Sequence, residues 1–372
     1  MRIGFDAKRA FFNTSGLGNY SRNLISNLSK FAPENEYVLF KNQDKKGIDF
    51  TFGSNTRVIT PQSGFYKRFH SLWRTYGKSS DISKNKIDVY HGLSHELPVG
   101  IKKANVKSVV TMHDVIFLRF PELFSPSYRY IFTNKYKHAC QNADDIVAIS
   151  EQSKMDVIKY FNVAEEKIKV VYQGCNPIYY DQVSTPYKEK MITKYNLPKQ
   201  FILYVGTIEK RKNALGIIEA LHDGNLDLPL IIIGRPTDYK KEIEAYISKN
   251  NIQSQVTFLH GVPTRDLPAL YQLSLAFVYP SLFEGFGIPI LEALNSGTPV
   301  ITSKGSCFPE VGGNGAQYVE YGNKEEMIEV LKKVASSVDL RKEMISKGYN
   351  QALKFREDKL VADMIRVYKK LL

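Results

Sequence analysis

SLFEGFGIPILEALNSGTPV, residues 281–300, is the most informative part of this 372-residue chain. A turn containing Gly285 and Gly287 leads into an apolar helix, and a Gly-Thr-Pro stop follows that helix before an apolar strand. A glycine turn directed at a helix N-terminus offers backbone N–H groups and a favourable dipole to anionic oxygens. Because Glu284 and Glu292 flank the turn, the stretch suits a ligand with both phosphate and hydroxyl groups.

Short apolar strands alternate with helical segments on both sides of this stretch. The predicted strands are residues 2–6, 37–40, 57–60, 88–91, 108–111, 146–149, 168–171, 201–206, 228–234, 256–261, 275–280 and 299–302. The predicted helices are residues 18–30, 65–78, 126–141 and 151–161, with further helices between 323 and 371. Apolar strands without polar alternation, separated by helices, predict an α/β protein whose parallel sheets are covered on both faces.

Length and composition indicate a soluble protein with two domains of ordinary size. Residues 173–200 interrupt the alternation and are predicted to form a linker with a short helix. No apolar run approaches the roughly 20 residues that span a bilayer. The N-terminus has the pattern of a strand, without the apolar core of a signal peptide. Three cysteines, far apart and without metal-type spacing, favour a reducing cytosol.

Positive charge is concentrated in the first half of the chain. Residues 1–180 hold 26 Lys and Arg against 16 Asp and Glu, which accounts for +10 of the net charge of +13. This asymmetry predicts an anionic partner for the N-terminal half. No nucleic-acid-binding motif is present, so nucleic acid is not predicted. The remaining candidates are an acidic membrane surface and a lipid-pyrophosphate acceptor within one.

The segment FEGFGIPILEAL resembles the Glu-x7-Glu motif of the group-one family of retaining glycosyltransferases. Other segments resemble family motifs in the family's order: SGLGNYSRNL (15–24), TMHD (111–114), DDIVAIS (144–150), YVGTIEKRKN (204–213), LHGVPTRDLPALYQLS (259–274) and FPEVGGNGA (308–316). Together they run through most of the chain. The pattern TIE-x-RKN is typical of a branch that contains many mannosyltransferases of bacterial polysaccharide assembly.

The resemblance implies the GT-B fold, in which two Rossmann-like domains face each other across a cleft. It implies an acceptor-side domain formed by residues 1–174 with a C-terminal helix at about 356–372. It also implies a donor-binding domain formed by residues 198–355. Ligands of such sheets bind at the carboxyl ends of the strands, where most of the resembling segments fall.

Release of a nucleoside diphosphate from a nucleotide sugar requires fixed positive charge beside the phosphates. Lys212 and Arg211 can supply it from a loop after a predicted strand, although a basic loop is often only a solvated one. The resemblance implies that Lys212 contacts the diphosphate, and Arg211 is the second candidate. Thr207, a candidate donor contact, stands where the family commonly has an arginine. By resemblance, Glu284 lies near the sugar and Glu292 binds the ribose hydroxyls.

Helix geometry argues against a glycosidase pair of acids. Eight residues of helix span roughly 12 Å, whereas glycosidase carboxylates lie about 5–9.5 Å apart. Glu284 and Glu292 are therefore expected to bind two parts of one ligand. The resemblance also assigns sugar hydroxyls or phosphate to a run of backbone amides, those of Gly285, Phe286, Gly287 and Ile288. It places the nucleotide base near Gly261 and Val262.

His113 follows a predicted strand, where a lone histidine is more often structural. The resemblance implies that His113 hydrogen-bonds the donor sugar without abstracting a proton, and that Asp114 lies on the acceptor side. Gly16 and Gly18, after the first strand, are expected to permit positive φ and close approach of a ligand. The resemblance places them between the diphosphate and the acceptor. Ser21 stands where a Rossmann dinucleotide fingerprint has Gly or Ala, so no nicotinamide site is predicted.

No Asp-x-Asp metal pattern occurs in the sequence. Lysine, arginine and a helix dipole can stabilise a leaving diphosphate as Mg²⁺ does elsewhere. The prediction is a site without metal or cofactor. Its substrate is a nucleotide sugar, with a GDP-sugar as the first candidate and a UDP-sugar as the second.

FYKRFHSLWRTYGK, residues 65–78, is predicted to be one amphipathic helix. Its apolar side chains fall on one stripe, which consists of Phe65, Phe69, Leu72, Trp73 and Tyr76. The basic side chains around the stripe, with no acid among them, are Lys67, Arg68, Arg74 and Lys78. Such a helix can lie in an anionic membrane interface. It can equally pack on its own domain, and the sequence leaves both possibilities open.

The leading hypothesis is therefore a retaining GT-B glycosyltransferase that moves a sugar, with mannose from GDP-mannose as the first candidate, to a glycan or lipid-linked acceptor. Retention is implied by the resemblance alone. The expected location is the cytoplasm, with possible peripheral attachment to the inner face of the plasma membrane. A soluble synthase of a small glycoside or disaccharide is the alternative within enzymes. A nucleotide-sugar-binding protein without catalysis is the alternative outside them.

Overall fold

A computed structural model describes residues 1–372 as two compact units. The first unit consists of Met1–Gly174 together with Arg356–Leu372, and the second consists of Cys175–Phe355. Each unit contains one β-sheet in which every strand pairing is parallel. The predicted α/β class with two Rossmann-like domains is confirmed.

The sheet of the first unit has seven strands in the order β3-β2-β1-β4-β5-β6-β7. The strands are β1 (Arg2–Asp6), β2 (Glu36–Phe40), β3 (Thr56–Ile59), β4 (Val89–Gly92), β5 (Lys107–Met112), β6 (Asp145–Ala148) and β7 (Ile168–Val170). The central strands are almost fully buried because helices cover both faces. The outermost strand β3 is more exposed and carries Arg57.

Eight helices follow these strands within the first unit. They are α1 (Lys8–Phe12), α2 (Gly16–Phe31), α3 (Gly64–Arg68), α4 (His70–Leu72), α5 (Lys78–Lys84), α6 (Ile116–Arg119), α7 (Pro126–Asn142) and α8 (Glu151–Phe161). Local chemistry sets several of their ends. The Ser125 hydroxyl accepts the Tyr128 amide at the start of α7, where Pro126 occupies the first turn. The Ser150 hydroxyl accepts the Ser153 amide at the start of α8.

The sheet of the second unit has six strands in the order β10-β9-β8-β11-β12-β13. The strands are β8 (Ile202–Val205), β9 (Leu230–Ile233), β10 (Val256–Leu259), β11 (Ala276–Tyr279), β12 (Val300–Ser303) and β13 (Ala316–Val319). Their helices are α9 (Thr185–Tyr195), α10 (Ala214–Asp223), α11 (Tyr239–Asn250), α12 (Leu267–Leu273), α13 (Ile288–Asn295), α14 (Phe308–Gly312), α15 (Lys324–Ser336) and α16 (Val338–Ala352). The chain order moves outward from β8 in one direction and then from β11 in the other, which creates a switch point between these two strands.

The last helix, α17 (Glu357–Leu371), belongs to the first unit. It packs beside α2, and the buried Tyr368 hydroxyl lies 2.6 Å from Nδ1 of His91 on β4. Both ends of the chain therefore contribute to one core. No helix of the structure combines the length and the apolar character that crossing a membrane requires.

Residues 65–78 do not form one helix, which corrects the sequence prediction. The segment is divided into α3, α4, a π-helical turn at Trp73–Gly77 and the start of α5. Trp73 is buried, and its indole N–H donates to Asp81 at 2.7 Å. The physical reason lies in Asp6 at the end of β1, whose buried carboxylate pairs with Arg74 at 2.9 Å and Lys78 at 3.2 Å.

The other apolar residues of the segment face solvent. Phe65, Phe69, Leu72 and Tyr76 are all more than two-fifths exposed. The phenyl rings of Phe65 and Phe69 lie 5.0 Å apart. The single stripe of the prediction is therefore divided between a buried Trp73 and an exposed apolar surface.

Candidate functional site

The carboxylate of Glu284 is the centre of a charged cluster at the carboxyl end of β11 in the second unit. Its Oε1 atom lies 3.0 Å from Nη1 of Arg211 and 3.1 Å from Nζ of Lys212. The same oxygen accepts hydrogen bonds from the hydroxyls of Tyr279 at 2.9 Å and Ser281 at 3.2 Å. The fold of β8 and β11 thus brings Glu284 to Arg211 and Lys212, which precede it by 73 and 72 positions in sequence.

Arg211 is held on several sides. Its guanidinium contacts the carboxylate of Glu209 at 2.6 Å, and it also donates to the carbonyl oxygen of Phe283. Its own carbonyl oxygen accepts the Leu282 amide at 2.8 Å. Arg211 therefore connects the short 3₁₀ turn at Lys210–Lys212 to the loop that carries Glu284.

Lys212 is less constrained than Arg211. Its ammonium donates to the Tyr279 hydroxyl at 2.8 Å, and that hydroxyl in turn donates to Glu284. The ammonium also lies 5.3 Å from the centre of the Tyr279 ring. Lys212 retains further N–H donor capacity, since an ammonium carries three protons. Of the two predicted cations, Lys212 is the one that can turn toward a phosphate with the smaller loss of protein contacts.

The cluster is close to electrical balance. Two carboxylates, those of Glu209 and Glu284, face the cations of Arg211 and Lys212. Burial by itself raises the pKa of Glu284, but the charges of Lys212 and Arg211 and the Tyr279 hydroxyl outweigh it and lower that pKa. Glu284 is therefore ionised at neutral pH. It pairs with the two cations, Arg211 and Lys212, that an anionic ligand would need.

The glycine turn follows Glu284 directly and opens α13. Gly287 has φ +99, a left-handed conformation that favours glycine. No side chain caps α13. Pro289 has no N–H and the Ile290 amide donates to the Gly287 carbonyl oxygen at 2.9 Å, so the Ile288 amide is the one that the first turn presents to a ligand. The side chain of Phe286 is buried against Phe355, with ring centres 5.5 Å apart, so only the backbone of Phe286 is placed for a ligand.

Glu292 lies on α13 and contacts a different set of side chains from Glu284. The hydroxyl of the buried Tyr271 donates to its Oε2 atom at 3.1 Å, and the buried Tyr179 hydroxyl, which has no hydrogen-bond partner, lies nearby. Burial raises the pKa of Glu292 to about 7, although these two hydroxyls oppose the rise. The carboxylate therefore has no cationic partner, which is the situation expected of a group whose partner is a neutral hydroxyl.

The remaining predicted donor contacts lie at strand ends of the same sheet. Thr207 follows β8, and its carbonyl oxygen accepts the Tyr204 hydroxyl at 3.0 Å. Gly261 follows β10 with φ +65, and no atom lies within 4 Å of the position of a Cβ. Val262 is next to it and is partly exposed. All three lie at the carboxyl edge that also carries Glu284.

In the first unit, His113 follows β5 and is buried. Its Nε2–H donates to the carbonyl oxygen of Leu93 at 2.9 Å, so the lone pair of the ring is on Nδ1. Its ring meets the ring of Tyr20 edge-on at 4.6 Å. Burial lowers the pKa of His113 to about 4. A neutral histidine is a hydrogen-bonding group at pH 7 and a poor proton acceptor there.

Asp114 follows His113 and accepts the amide of Ile116 at 3.2 Å. Gly16 and Gly18 differ from the prediction, because both lie inside α2 and neither has a positive φ. At Gly18 the constraint is space, since a Cβ would lie 1.9 Å from the carbonyl oxygen of Asn13. Gly16 has no atom within 4 Å of its Cβ position, which leaves its backbone open to a ligand.

Several residues of the two sites were not predicted from the sequence. Tyr279 links Lys212 to Glu284, Glu209 pairs with Arg211, and Tyr271 holds Glu292. In a sequence, a tyrosine in an apolar strand or an apolar helix is interpreted as a core residue, so Tyr279 and Tyr271 were not recognised as parts of a site. No group of three His, Cys, Asp or Glu side chains is arranged to hold a metal ion.

Two family models match the chain in succession. The model described as "Glycosyltransferase Family 4" matches residues 14–178, and the model "Glycosyl transferases group 1" matches residues 188–351. This chain belongs to the group 1 glycosyltransferase family. The chain is accordingly a glycosyltransferase. The gap between the two models, residues 179–187, begins shortly after the first unit's segment ends at Gly174.

One curated relative and two solved structures are similar to this group 1 glycosyltransferase over nearly the whole of each chain. The O-antigen chain mannosyltransferase B of Escherichia coli is 27% identical over the full length of both chains. Among solved structures, sucrose-phosphate synthase from Thermosynechococcus elongatus superposes with a TM-score of 0.79 at 17% identity and covers 100% of this chain and 99% of that one. The Anabaena protein HepE, in complex with UDP and glucose, superposes with a TM-score of 0.74 at 19% identity over both whole chains. The fold is GT-B.

Proposed function

We propose that this glycosyltransferase moves a sugar, with mannose from GDP-mannose as the first candidate, to a glycan or lipid-linked acceptor in cell-surface polysaccharide synthesis. The single observation that carries the proposal is the cluster of Lys212, Arg211 and Glu284 beside the uncapped start of α13. Two cations, a carboxylate and the backbone amide at the uncapped start of α13 suit a diphosphate joined to a hydroxyl-rich sugar. The polysaccharide setting and the mannose are supported by the E. coli relative.

In the proposed reaction, Lys212 turns from Glu284 to the diphosphate as the donor binds. Glu284, released from that cation, accepts hydrogen bonds from the hydroxyls of the sugar. Negative charge then develops on the leaving diphosphate beside Lys212, where fixed positive charge lowers the barrier. Arg211 keeps the Glu284 loop in place through its contacts with Glu209 and the carbonyl oxygen of Phe283. Glu292 takes the ribose hydroxyls.

The proposed stereochemistry is retention at the anomeric carbon, without a metal ion. Neutral His113 donates its Nε2–H to Leu93 and can accept a sugar hydroxyl at Nδ1. No carboxylate is proposed as a nucleophile. The acceptor hydroxyl instead attacks from the face that the diphosphate leaves, and a phosphate oxygen takes its proton, with Asp114 on the acceptor side.

The donor is tested by thermal unfolding with GDP-mannose, UDP-glucose and ADP-glucose. A ligand at about 100 times its dissociation constant adds about 2.7 kcal/mol to the free energy of unfolding, so the matching nucleotide should raise the melting temperature by several degrees. Lys212→Met should abolish the shift. Lys210→Met is the matched control, since Lys210 is exposed in the same turn. The absence of a shift with all three nucleotide sugars would contradict the proposal.

Turnover separates the two enzymatic alternatives. Release of the nucleoside diphosphate is measured with a lipid-linked glycan and with free glucose or fructose 6-phosphate as acceptor. Preference for the lipid-linked glycan supports polysaccharide assembly, and preference for the small sugar supports a soluble glycoside synthase. Donor binding without any turnover would indicate a nucleotide-sugar-binding protein.

We further propose that the enzyme attaches peripherally to an anionic membrane through the exposed face of residues 65–76. This basic-aromatic surface consists of Phe65, Phe69, Leu72 and Tyr76 with Lys67 and Arg68. Aromatic rings flanked by basic residues suit the interface of a membrane with anionic lipids. Arg74, Lys78 and Trp73, which are buried, take no part in the surface as proposed here.

Vesicle sedimentation tests the membrane proposal. Binding to vesicles with 30% phosphatidylglycerol should fall about 25-fold in Lys67→Glu/Arg68→Glu, at about 5-fold for each lost cation. Lys332→Glu/Lys333→Glu changes the charge equally on the exposed face of α15 and serves as the matched control. Equal binding by the two double variants would overturn the proposal.

A further inference from the structure

The turn after β4, residues 93–96, contains a histidine in an unusual conformation. His95 has φ +62, in the left-handed region that non-glycine residues seldom adopt. It is also buried. Strain of this kind persists where neighbouring contacts fix the backbone, and it is common beside functional residues.

The ring of His95 holds the backbone of His113. Its Nε2 atom accepts the His113 amide N–H at 2.9 Å, so the ring proton is on Nδ1. The ring stacks on Tyr136 with centres 4.4 Å apart and planes 13° apart. Burial holds the pKa of His95 well below its ordinary value, and the ring therefore stays neutral and able to accept.

The same turn fixes the side chain of His113. The carbonyl oxygen of Leu93 accepts Nε2–H of His113 at 2.9 Å, which selects one tautomer. The Ser153 hydroxyl donates to the His113 carbonyl oxygen at 2.8 Å. His113 is thus held at its amide, its carbonyl and its ring, and two of these three contacts come from the turn.

Ion pairs fix the turn itself. Glu96, the residue after His95, pairs with Arg74 at 2.6 Å and with Lys135 of α7 at 3.5 Å. Arg74 also pairs with Asp6 at the end of β1. The turn is therefore attached to β1 and α7 at the position next to the strained residue, which accounts for the persistence of φ +62.

We propose that His95 is a positioning residue for His113, which it holds with Nδ1 available to a sugar hydroxyl. The inference rests on the proposed role of His113 toward the donor sugar. The alternative is a histidine that only fills the core of the first unit. The positioning role and the core-filling role predict different activities for a variant that keeps a hydrogen-bond acceptor at this position but lacks the imidazole ring.

Three variants of His95 test the inference. His95→Gln places an amide oxygen near the position of Nε2 and keeps the acceptor. His95→Asn suits the positive φ but is too short to reach the His113 amide, and His95→Ala has no acceptor. We expect kcat to fall about 10- to 100-fold in the Asn and Ala variants, with the donor KM within about 3-fold, because small displacements of a catalytic group have effects of this size. The Gln variant should recover most of kcat.

Stability is separated from positioning by a matched control. Tyr37→Phe removes two buried hydrogen bonds, to Leu28 and Ala32, on strand β2 of the same sheet. It should lower the melting temperature of the first unit and leave kcat unchanged. If Tyr37→Phe loses as much kcat as His95→Ala, the effect is one of stability and the inference is overturned.

Imidazole ¹⁵N spectra give a readout that does not need turnover. The seven histidines are resolved by ¹⁵N labelling, and the His113 signals are assigned with His113→Gln. His113 should show the Nε2–H tautomer in wild type and in His95→Gln, and a mixture of tautomers in His95→Asn and His95→Ala. Unchanged His113 signals in all three variants would overturn the inference. If these changes occur but wild type turns over no nucleotide sugar, the proposed function fails while the positioning contact stands.

Discussion

Glu284→Gln should bind free nucleoside diphosphate more tightly than wild type and yet turn over the donor more slowly. In the structure the Glu284 carboxylate lies 3.1 Å from the Lys212 ammonium, where a phosphate would bind. Because the pKa of Glu284 is lowered by Lys212 and Arg211, the glutamine variant removes a full negative charge at pH 7. The diphosphate then meets an uncompensated cation.

The size of the effect follows from the distances. A phosphate oxygen paired with Lys212 from the open side would lie about 6 Å from the carboxylate, where two unit charges repel by about 1.4 to 2.8 kcal/mol at an effective dielectric constant of about 20 to 40. Its removal corresponds to about 10- to 100-fold tighter binding of GDP or UDP. Turnover should fall by at least about 10-fold, since the sugar loses an ionised acceptor.

Isothermal titration with GDP and UDP measures the first effect, and diphosphate release from the matching nucleotide sugar measures the second. Glu209→Gln is the matched control. Its carboxylate belongs to the same cluster but pairs with Arg211 alone, and it is 35% exposed. Solvent screening should keep its effect on diphosphate affinity below about 5-fold. If Glu284→Gln binds both diphosphates with unchanged or lower affinity, the carboxylate does not compete with phosphate for Lys212.

Three further predictions concern stability. Glu292→Gln should remove a pH dependence of the free energy of unfolding. Burial raises the pKa of Glu292 from 4.5 to about 7. The contribution of this carboxyl group to stability is therefore complete below pH 4.5 and is lost as pH rises through 7. Urea unfolding of wild type should weaken over this range by up to about 3 kcal/mol relative to the variant, and parallel pH curves would contradict this. Asp266→Asn should lower the free energy of unfolding of the second unit by about 2 kcal/mol at pH 7. Burial raises the pKa of Asp266, but hydrogen bonds from Lys194 and two tyrosines lower it to about 2. The contribution of the Asp266 carboxylate to stability is therefore present above pH 3.8 and is lost as pH falls through 2. Gly18→Ala should cost about 1 to 3 kcal/mol through overpacking against the Asn13 carbonyl; Gly16→Ala, with open space, is its control, and equal losses in the two would refute the steric reason.

The sheets were predictable because buried parallel strands are continuous apolar runs. β9, with the sequence LIII, is buried along its whole length and was predicted within a wider range. β13 was missed because its sequence, AQYV, has a polar residue and lies at the edge of the sheet, where only two of its four residues are buried. Composition carries less information at an edge than in the centre of a sheet.

The prediction of one helix for residues 65–78 was wrong because the contacts that decide the structure there are not local in sequence. Arg74 and Lys78 have the pattern of the solvated face of an amphipathic helix, but both pair with the buried Asp6, which lies 68 positions from Arg74 in sequence. Whether a charged side chain is buried depends on its partner, which can be distant in sequence. The periodicity of apolar residues is a local property and cannot reveal such a partner.

The same limit applies to the candidate site. The glycine turn, Lys212 and Glu284 are visible in the sequence because each lies in a recognisable local pattern. The contacts of Tyr279 with Lys212 and of His95 with His113 span 67 and 18 positions and leave no local pattern. Sequence therefore indicated the groups that we propose contact a ligand, whereas the groups that hold them required the structure.

The contribution of α17 to the first unit has a consequence for how the protein is made. When the ribosome has added Phe355, every residue of the second unit has been synthesised, but the core around β4 still lacks Tyr368 and the rest of the last helix. The half synthesised first is thus finished last, against the usual N-terminal-first order of domains. A chain truncated before Glu357 would lack α17 altogether, and its early half would have an exposed apolar face that is a target for chaperones and proteases.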